Sequence, residues 1–214
     1  MENLNKKLVV IVPGSKTKVS SLPLLNKFFT KFYSHFGIEV EEGAWIEPLR
    51  VAFAEIPADT LVFDWSGGVS PFAVRKAAKE LNHALLEYKD REILLFTKSL
   101  GGAVAERAAR DTRLCVKRLI YVVSPHSRFR KALPSSVEVI NIFSEADNYL
   151  RFANRLLYLG FGTVPIADAL NIEIPGNRHS DFNHNKEVQY RGSNFLLFEL
   201  YQKLLSDEVI DQTQ

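Results

Sequence analysis

Short apolar runs alternate with longer amphipathic stretches along this chain. The runs lie at residues 8–12, 60–63, 93–96, 119–123, 137–143 and 170–174. The first four are unbroken and rich in Val, Ile and Leu, the pattern of strands buried on both faces of a parallel sheet. The last two alternate apolar with polar positions, which predicts places nearer one edge. All are too short for a buried helix. Between them the period becomes helical. Ala73, Ala77, Leu81, Leu85 and Tyr88 form one stripe behind Ser70-Pro71, a cap residue followed by proline at the first helical position. Val104 and Ala108 mark a small-residue helix after Ser99, and Leu196, Leu197, Leu200, Tyr201 and Leu204 mark a closing helix. Phe28, Phe32 and Phe36, with Phe29 and Tyr33 beside them, predict a helix packed on the sheet by an aromatic face. Strand–helix alternation of this kind predicts an α/β fold, with a mainly parallel sheet of about six strands flanked by helices.

Composition narrows the class. The chain has 214 residues, 46% hydrophobic and 24% charged, which excludes wholesale disorder. We expect one domain over residues 1–205 and a polar tail that frays over 206–214. A domain of this size needs no disulfides to stabilise its core. The single cysteine, Cys115, excludes an internal disulfide and a multi-thiolate metal centre; it is expected to be a buried structural thiol. The formal charge of +2 makes no case for nucleic acid. Lys6, Lys7, Lys16, Lys18, Lys27 and Lys31 make the N-terminal part basic, which is expected to be a solvated surface. No apolar run approaches the ~20 residues that span a bilayer, and the N-terminus does not read as a signal peptide. The expectation is a cytoplasmic protein without stable membrane insertion, acting on a small molecule.

In parallel α/β sheets, ligands bind beyond the carboxyl ends of the strands. The most informative loop is there. Residues 93–105 run from a buried strand through Ser99-Leu100-Gly101-Gly102 into an alanine-rich helix. A serine on a strand-to-helix turn, followed two residues later by glycine, is the layout of a nucleophile elbow. The helix start behind it offers backbone N–H groups to a developing oxyanion. Ser99-Leu100-Gly101-Gly102 resembles the second half of the elbow of the α/β-hydrolase superfamily, particularly its small lipase and esterase members. Asp64-Trp65-Ser66-Gly67 resembles a segment of small lipase-like relatives. The chain departs from that pattern at Thr97, where glycine is usual, and at Lys98, where histidine is frequent.

The resemblance implies a Ser-Asp-His order of catalytic groups. For the acid it implies Asp147, in the loop after the fifth run, with Glu145 as the competitor; Asp147 also reads as a helix cap. For the base it implies His179, just after the last run, with His184 as the alternative. The oxyanion hole would use the N–H of Leu100 and that of Ser15, beside Gly14 in the loop after the first run. Pro13 stands where many relatives carry histidine before the glycine. Gly14, Trp65, His126 and Phe182 are candidates for substrate contact, and Phe161 lies in a similar loop. Trp45 has no evident place. The implied activity is cleavage of a carboxylic ester through an acyl-enzyme, with no metal or organic cofactor and no large cap domain, so that a shallow pocket suits small or medium esters. The same triad would serve a thioesterase or amidase. A catalytically inactive binding or interaction module on the same fold is the alternative from another class.

Overall fold

The computed structural model describes residues 7–14, 45–68, 70–126, 133–153 and 165–206. Strands β1 (Lys7–Val12), β2 (Ala58–Val62), β3 (Ile93–Lys98), β4 (Val116–Val122), β5 (Glu138–Phe143) and β6 (Leu170–Glu173) form one parallel sheet in the order β2-β1-β3-β4-β5-β6. Helices α1 (Ile46–Phe53), α2 (Pro71–Leu85), α3 (Gly101–Ala108), α4 (Asn148–Ala153) and α5 (Leu197–Leu205) join them. A two-stranded antiparallel hairpin, β7 (Glu187–Tyr190) and β8 (Ser193–Leu196), precedes α5.

The unbroken apolar runs are explained by cover on both faces. Val9, Ile11, Leu94 and Phe96 pack with Leu49 and Phe53 of α1 and with Leu197, Leu200 and Tyr201 of α5. Leu8, Val10, Val12, Ile93 and Leu95 point the other way, to Val74, Leu81 and Leu85 of α2 and Val104 and Ala108 of α3. On the first face Phe96 meets Phe53 edge-on at 5.1 Å and Tyr201 at 4.9 Å. Helix α2 starts as predicted: Pro71 is its first residue and the Ser70 hydroxyl accepts the Ala73 N–H at 3.1 Å.

The sheet departs from the pattern in two places. β2 reads as a buried run but lies at an edge, with its residues half-buried or exposed. The alternating β6 forms the other edge, as expected. The hairpin gave no recognised signal, because its turn is Arg191-Gly192, both at positive φ (50° and 79°), rather than Asn-Gly or Asp-Gly. The aromatic stripe at 28–36, Phe161 and the tail from 207 lie outside the described residues. Among the described residues no helix is long and apolar enough to cross a membrane, and no cap domain covers the sheet. Cys115, just before β4, is half-buried.

Candidate active site

Parallel strands deliver their following loops to one edge of the sheet. The turns after β3, β5 and β6 carry Ser99, Asp147 and His179 to that edge. Ser99 holds a φ of 49°, in the left-handed region that a non-glycine residue enters at a cost of roughly 1–3 kcal/mol. Its N–H remains tied to the Val122 carbonyl at 2.9 Å, and its carbonyl accepts the Gly102 N–H at 3.0 Å. The strained residue is therefore bracketed by β4 and the first turn of α3. The Leu100 N–H, next in the chain, has no hydrogen-bond partner among the described residues.

Two glycines let other backbones approach this turn. A Cβ on Gly101 would run into the Val12 carbonyl and come within 2.5 Å of the Pro13 oxygen. The crowding at the second residue after the serine thus comes from the end of β1. Thr97 fits because its side chain leaves the turn: it is buried, and Oγ1 donates to the Ile120 carbonyl at 2.8 Å. A Cβ on Gly14 would sit 2.9 Å from Ser99 Cβ and 3.5 Å from Ser99 Oγ. Gly14 is accordingly pressed against the serine. Ser15 itself lies outside the described residues.

Asp147 is 1% exposed, and its two carboxylate oxygens have separate tasks. Oδ1 accepts the Leu150 N–H at 2.9 Å, capping α4. Oδ2 accepts from His179 Nδ1 at 2.7 Å. A carboxylate can only accept, so the proton of a neutral imidazole sits on Nδ1 and Nε2 is left as the basic nitrogen. Glu145 stands exposed two residues earlier, and His184 is exposed beyond the turn. His179 opens a 3₁₀ turn, His179–Asn183, which Asp181 anchors by accepting the Arg178 N–H at 2.7 Å and pairing with Lys186 at 3.2 Å. The Tyr149 ring lies edge-on to the imidazole at 4.8 Å.

Several neighbours were not evident in the sequence. Lys98, immediately before Ser99, is 6% exposed. Its ammonium lies 5.6 Å from the centre of the Trp45 ring at the start of α1, which gives that tryptophan its place. Burial pulls the Lys98 pKa down to about 8, and the charge of Asp147 pushes back against that fall. Asp147 and the Ser99 turn thus share one electrostatic neighbourhood. The only signal in the sequence was a charged residue at the end of an otherwise apolar strand.

The proposed contact residues fall differently. Phe182 is 1% exposed, a ring of the core with no surface left for a substrate, and its carbonyl accepts from the Tyr201 hydroxyl at 3.5 Å. Trp65 is also buried, and its indole N–H donates to the Pro13 carbonyl at 2.9 Å. His126 is buried after β4, with Nδ1 turned to the Ser124 carbonyl at 3.1 Å. Gly14 stays half-buried beside Ser99. Among the described residues no cluster of His, Cys, Asp and Glu has the arrangement of a metal site.

No protein-family model matches the sequence, and no curated protein matches it by sequence. Solved structures do match in shape. One, described as a YdeN-like hydrolase from Pectobacterium atrosepticum, superposes with a TM-score of 0.54 at 12% identity, over 94% of this chain and 90% of its own. Another, described as a CIB-like hydrolase from Thermoplasma acidophilum, gives 0.53 at 11% identity, over 97% and 87%. Esterase 2 of Thermogutta terrifontis, phosphoramylated by tabun in its structure, gives 0.51 at 12% identity, over 98% and 86%. With a six-stranded parallel sheet covered by helices on both faces and a serine on the turn after its third strand, this chain has the α/β-hydrolase fold.

Proposed function

We propose that this protein is a serine hydrolase that cleaves a carboxylic ester through an acyl-enzyme. The observation that carries the reading is the buried His179–Asp147 pair, 2.7 Å apart, on the same sheet edge as Ser99. Ser99 Oγ attacks the acyl carbon while His179 Nε2 takes its proton. The tetrahedral oxyanion is held by the Leu100 N–H and by a donor from the loop after β1, with Ser15 the expected residue. His179 then passes the proton to the departing alkoxide. Water attacks the acyl-enzyme with the same base and releases the acid and Ser99. Asp147 keeps the imidazole in the tautomer that leaves Nε2 free to accept and stabilises the imidazolium formed in each half-reaction. An esterase among the structural neighbours supports an ester over a thioester or amide.

A fluorophosphonate probe tests the reading, because it phosphonylates a serine only when an adjacent base activates it. Wild-type protein should label at Ser99, and Ser99→Ala should not. Failure of the wild type to label would favour a binding module on the same fold. His179→Ala should cost several orders of magnitude in kcat, on the order of 10⁴ or more, whereas His184→Ala should leave activity within about tenfold. A panel of p-nitrophenyl esters of increasing acyl length, with a thioester and an anilide beside it, identifies the bond and chain length preferred. Short and medium esters are expected to lead.

A further inference from the structure

Trp65 sits in the loop after β2 and is 4% exposed, packed in the core face formed with α2 and α3. Its position relative to β1 is specific. In the β1–β2 ladder the Ile11 carbonyl accepts the Phe63 N–H at 2.9 Å. In a parallel ladder the next bond would run from the N–H of residue 65 to the carbonyl of residue 13. The indole N–H of Trp65 takes that place, donating to the Pro13 carbonyl at 2.9 Å. Pro13 has no N–H of its own to hold it to a neighbouring strand. The Pro13 carbonyl is further confined from the opposite element, since a Cβ on Gly101 would lie 2.5 Å from its oxygen.

We propose that Trp65 is the positioning residue of the oxyanion loop: its indole N–H extends the β1–β2 ladder by one bond and so orients the Pro13–Gly14 peptide against Ser99. The peptide bond is planar and trans, so fixing the Pro13 carbonyl also fixes the Gly14 N–H, which points to the opposite side. Gly14 is the residue whose missing Cβ lets the loop lie against Ser99 Cβ. Ser15, the donor expected in the proposed function, follows Gly14 directly in the sequence. Among the described residues the indole's hydrogen bond goes to the Pro13 carbonyl and not to Ser99 or His179. Its effect is on where the loop's donor stands when the oxyanion forms, an interaction that is stronger in the transition state than in the ground state. The proposal rests on the serine-hydrolase reading.

The test replaces Trp65 in the full-length chain by benzothienylalanine, which keeps the fused ring and exchanges the N–H for sulfur, and separately by Phe. The pseudo-first-order rate constant of fluorophosphonate labelling is read apart from its end-point amplitude, and kcat and KM are measured on a p-nitrophenyl ester. Both variants should label at Ser99 with a rate constant lowered by about ten- to a hundredfold, less than the 10²–10³ of losing an oxyanion donor outright. kcat should fall in parallel, and KM should stay within about threefold. A purely structural role would lower the amplitude, through loss of folded protein, and leave the rate constant of the surviving fraction unchanged; that result overturns the proposal. So does a wild-type rate constant in the benzothienylalanine protein. A wild-type chain that does not label overturns the hydrolase reading and this proposal together.

Discussion

Asp147 divides its two oxygens between a helix and an imidazole, and this division makes a specific substitution informative. Asparagine retains an oxygen for the Leu150 N–H and is as good a cap as aspartate. With that oxygen in the cap, the amide nitrogen faces His179 Nδ1 and can only donate, which moves the imidazole proton to Nε2 and removes the base. Asp147→Asn should therefore leave the melting temperature nearly unchanged and lower kcat by about 10⁴, as expected for a histidine held in the wrong tautomer. Lys98 makes the opposite kind of prediction, one of stability. Its pKa falls from an ordinary lysine value of 10.5 to about 8 in the fold, mainly through burial. Between those values the unfolded chain binds more protons, so this group makes the protein more stable as pH rises. Below about pH 8 the protein bears the full cost of a buried ammonium, on the order of a few kcal/mol. Lys98→Met should be more stable than wild type near pH 6, and the difference should shrink as pH approaches 10. Urea unfolding from about pH 6 to about pH 9.5 measures it, staying below the range where Tyr201 matters; burial holds that phenol well above its ordinary value.

At the scale of elements, the elbow is a junction of three strands and a helix rather than a local turn. Ser99 is tied to β4, Gly101 accommodates the end of β1, and Gly102 lies so close to Ser124, after β4, that a Cβ there would stand 2.6 Å from Ser124 Cβ. Alanine at 101 would gain up to about 1 kcal/mol of helix propensity but drive a methyl into two backbone carbonyls that cannot step aside. Gly101→Ala should therefore destabilise the protein, seen as a lower urea midpoint at constant slope, and slow labelling of Ser99. Thr97→Gly makes the turn more like the family pattern, yet it should destabilise by about 1–2 kcal/mol. It removes the hydrogen bond to Ile120 and adds backbone freedom to the unfolded chain. The start of α2 was legible because Ser70-Pro71 is a local device. The β7–β8 hairpin was not, since its turn, Arg191-Gly192, holds both residues at positive φ without the Asn or Asp that marks such a turn in a sequence.

At the scale of the whole molecule, stability comes from two apolar layers, one on each face of the sheet. Leu95 is fully buried in one of them, whereas Leu196 is 49% exposed at the end of β8. Leu95→Ala should cost about 2–5 kcal/mol and Leu196→Ala about 0.5 kcal/mol or less, both by denaturant unfolding. The sequence by itself determined the strand count of the main sheet, its parallel sense, helices α2, α3 and α5 and the serine turn, because periodicity, caps and glycine spacing are local properties of the chain; it did not mark α1, which brings Leu49 and Phe53 to one face of the sheet. It left the choices between Asp147 and Glu145 and between His179 and His184 to family resemblance. The tertiary structure buries Asp147 and His179 in a 2.7 Å contact across 32 residues of sequence and leaves Glu145 and His184 exposed, which supports the proposed choice. It also put β2 at an edge, turned Trp65 onto the Pro13 carbonyl and buried Lys98 beside Trp45, within reach of the charge of Asp147. None of these is legible in a linear pattern, because each depends on which strand ends meet, and strand order is set by the packing of the whole sheet.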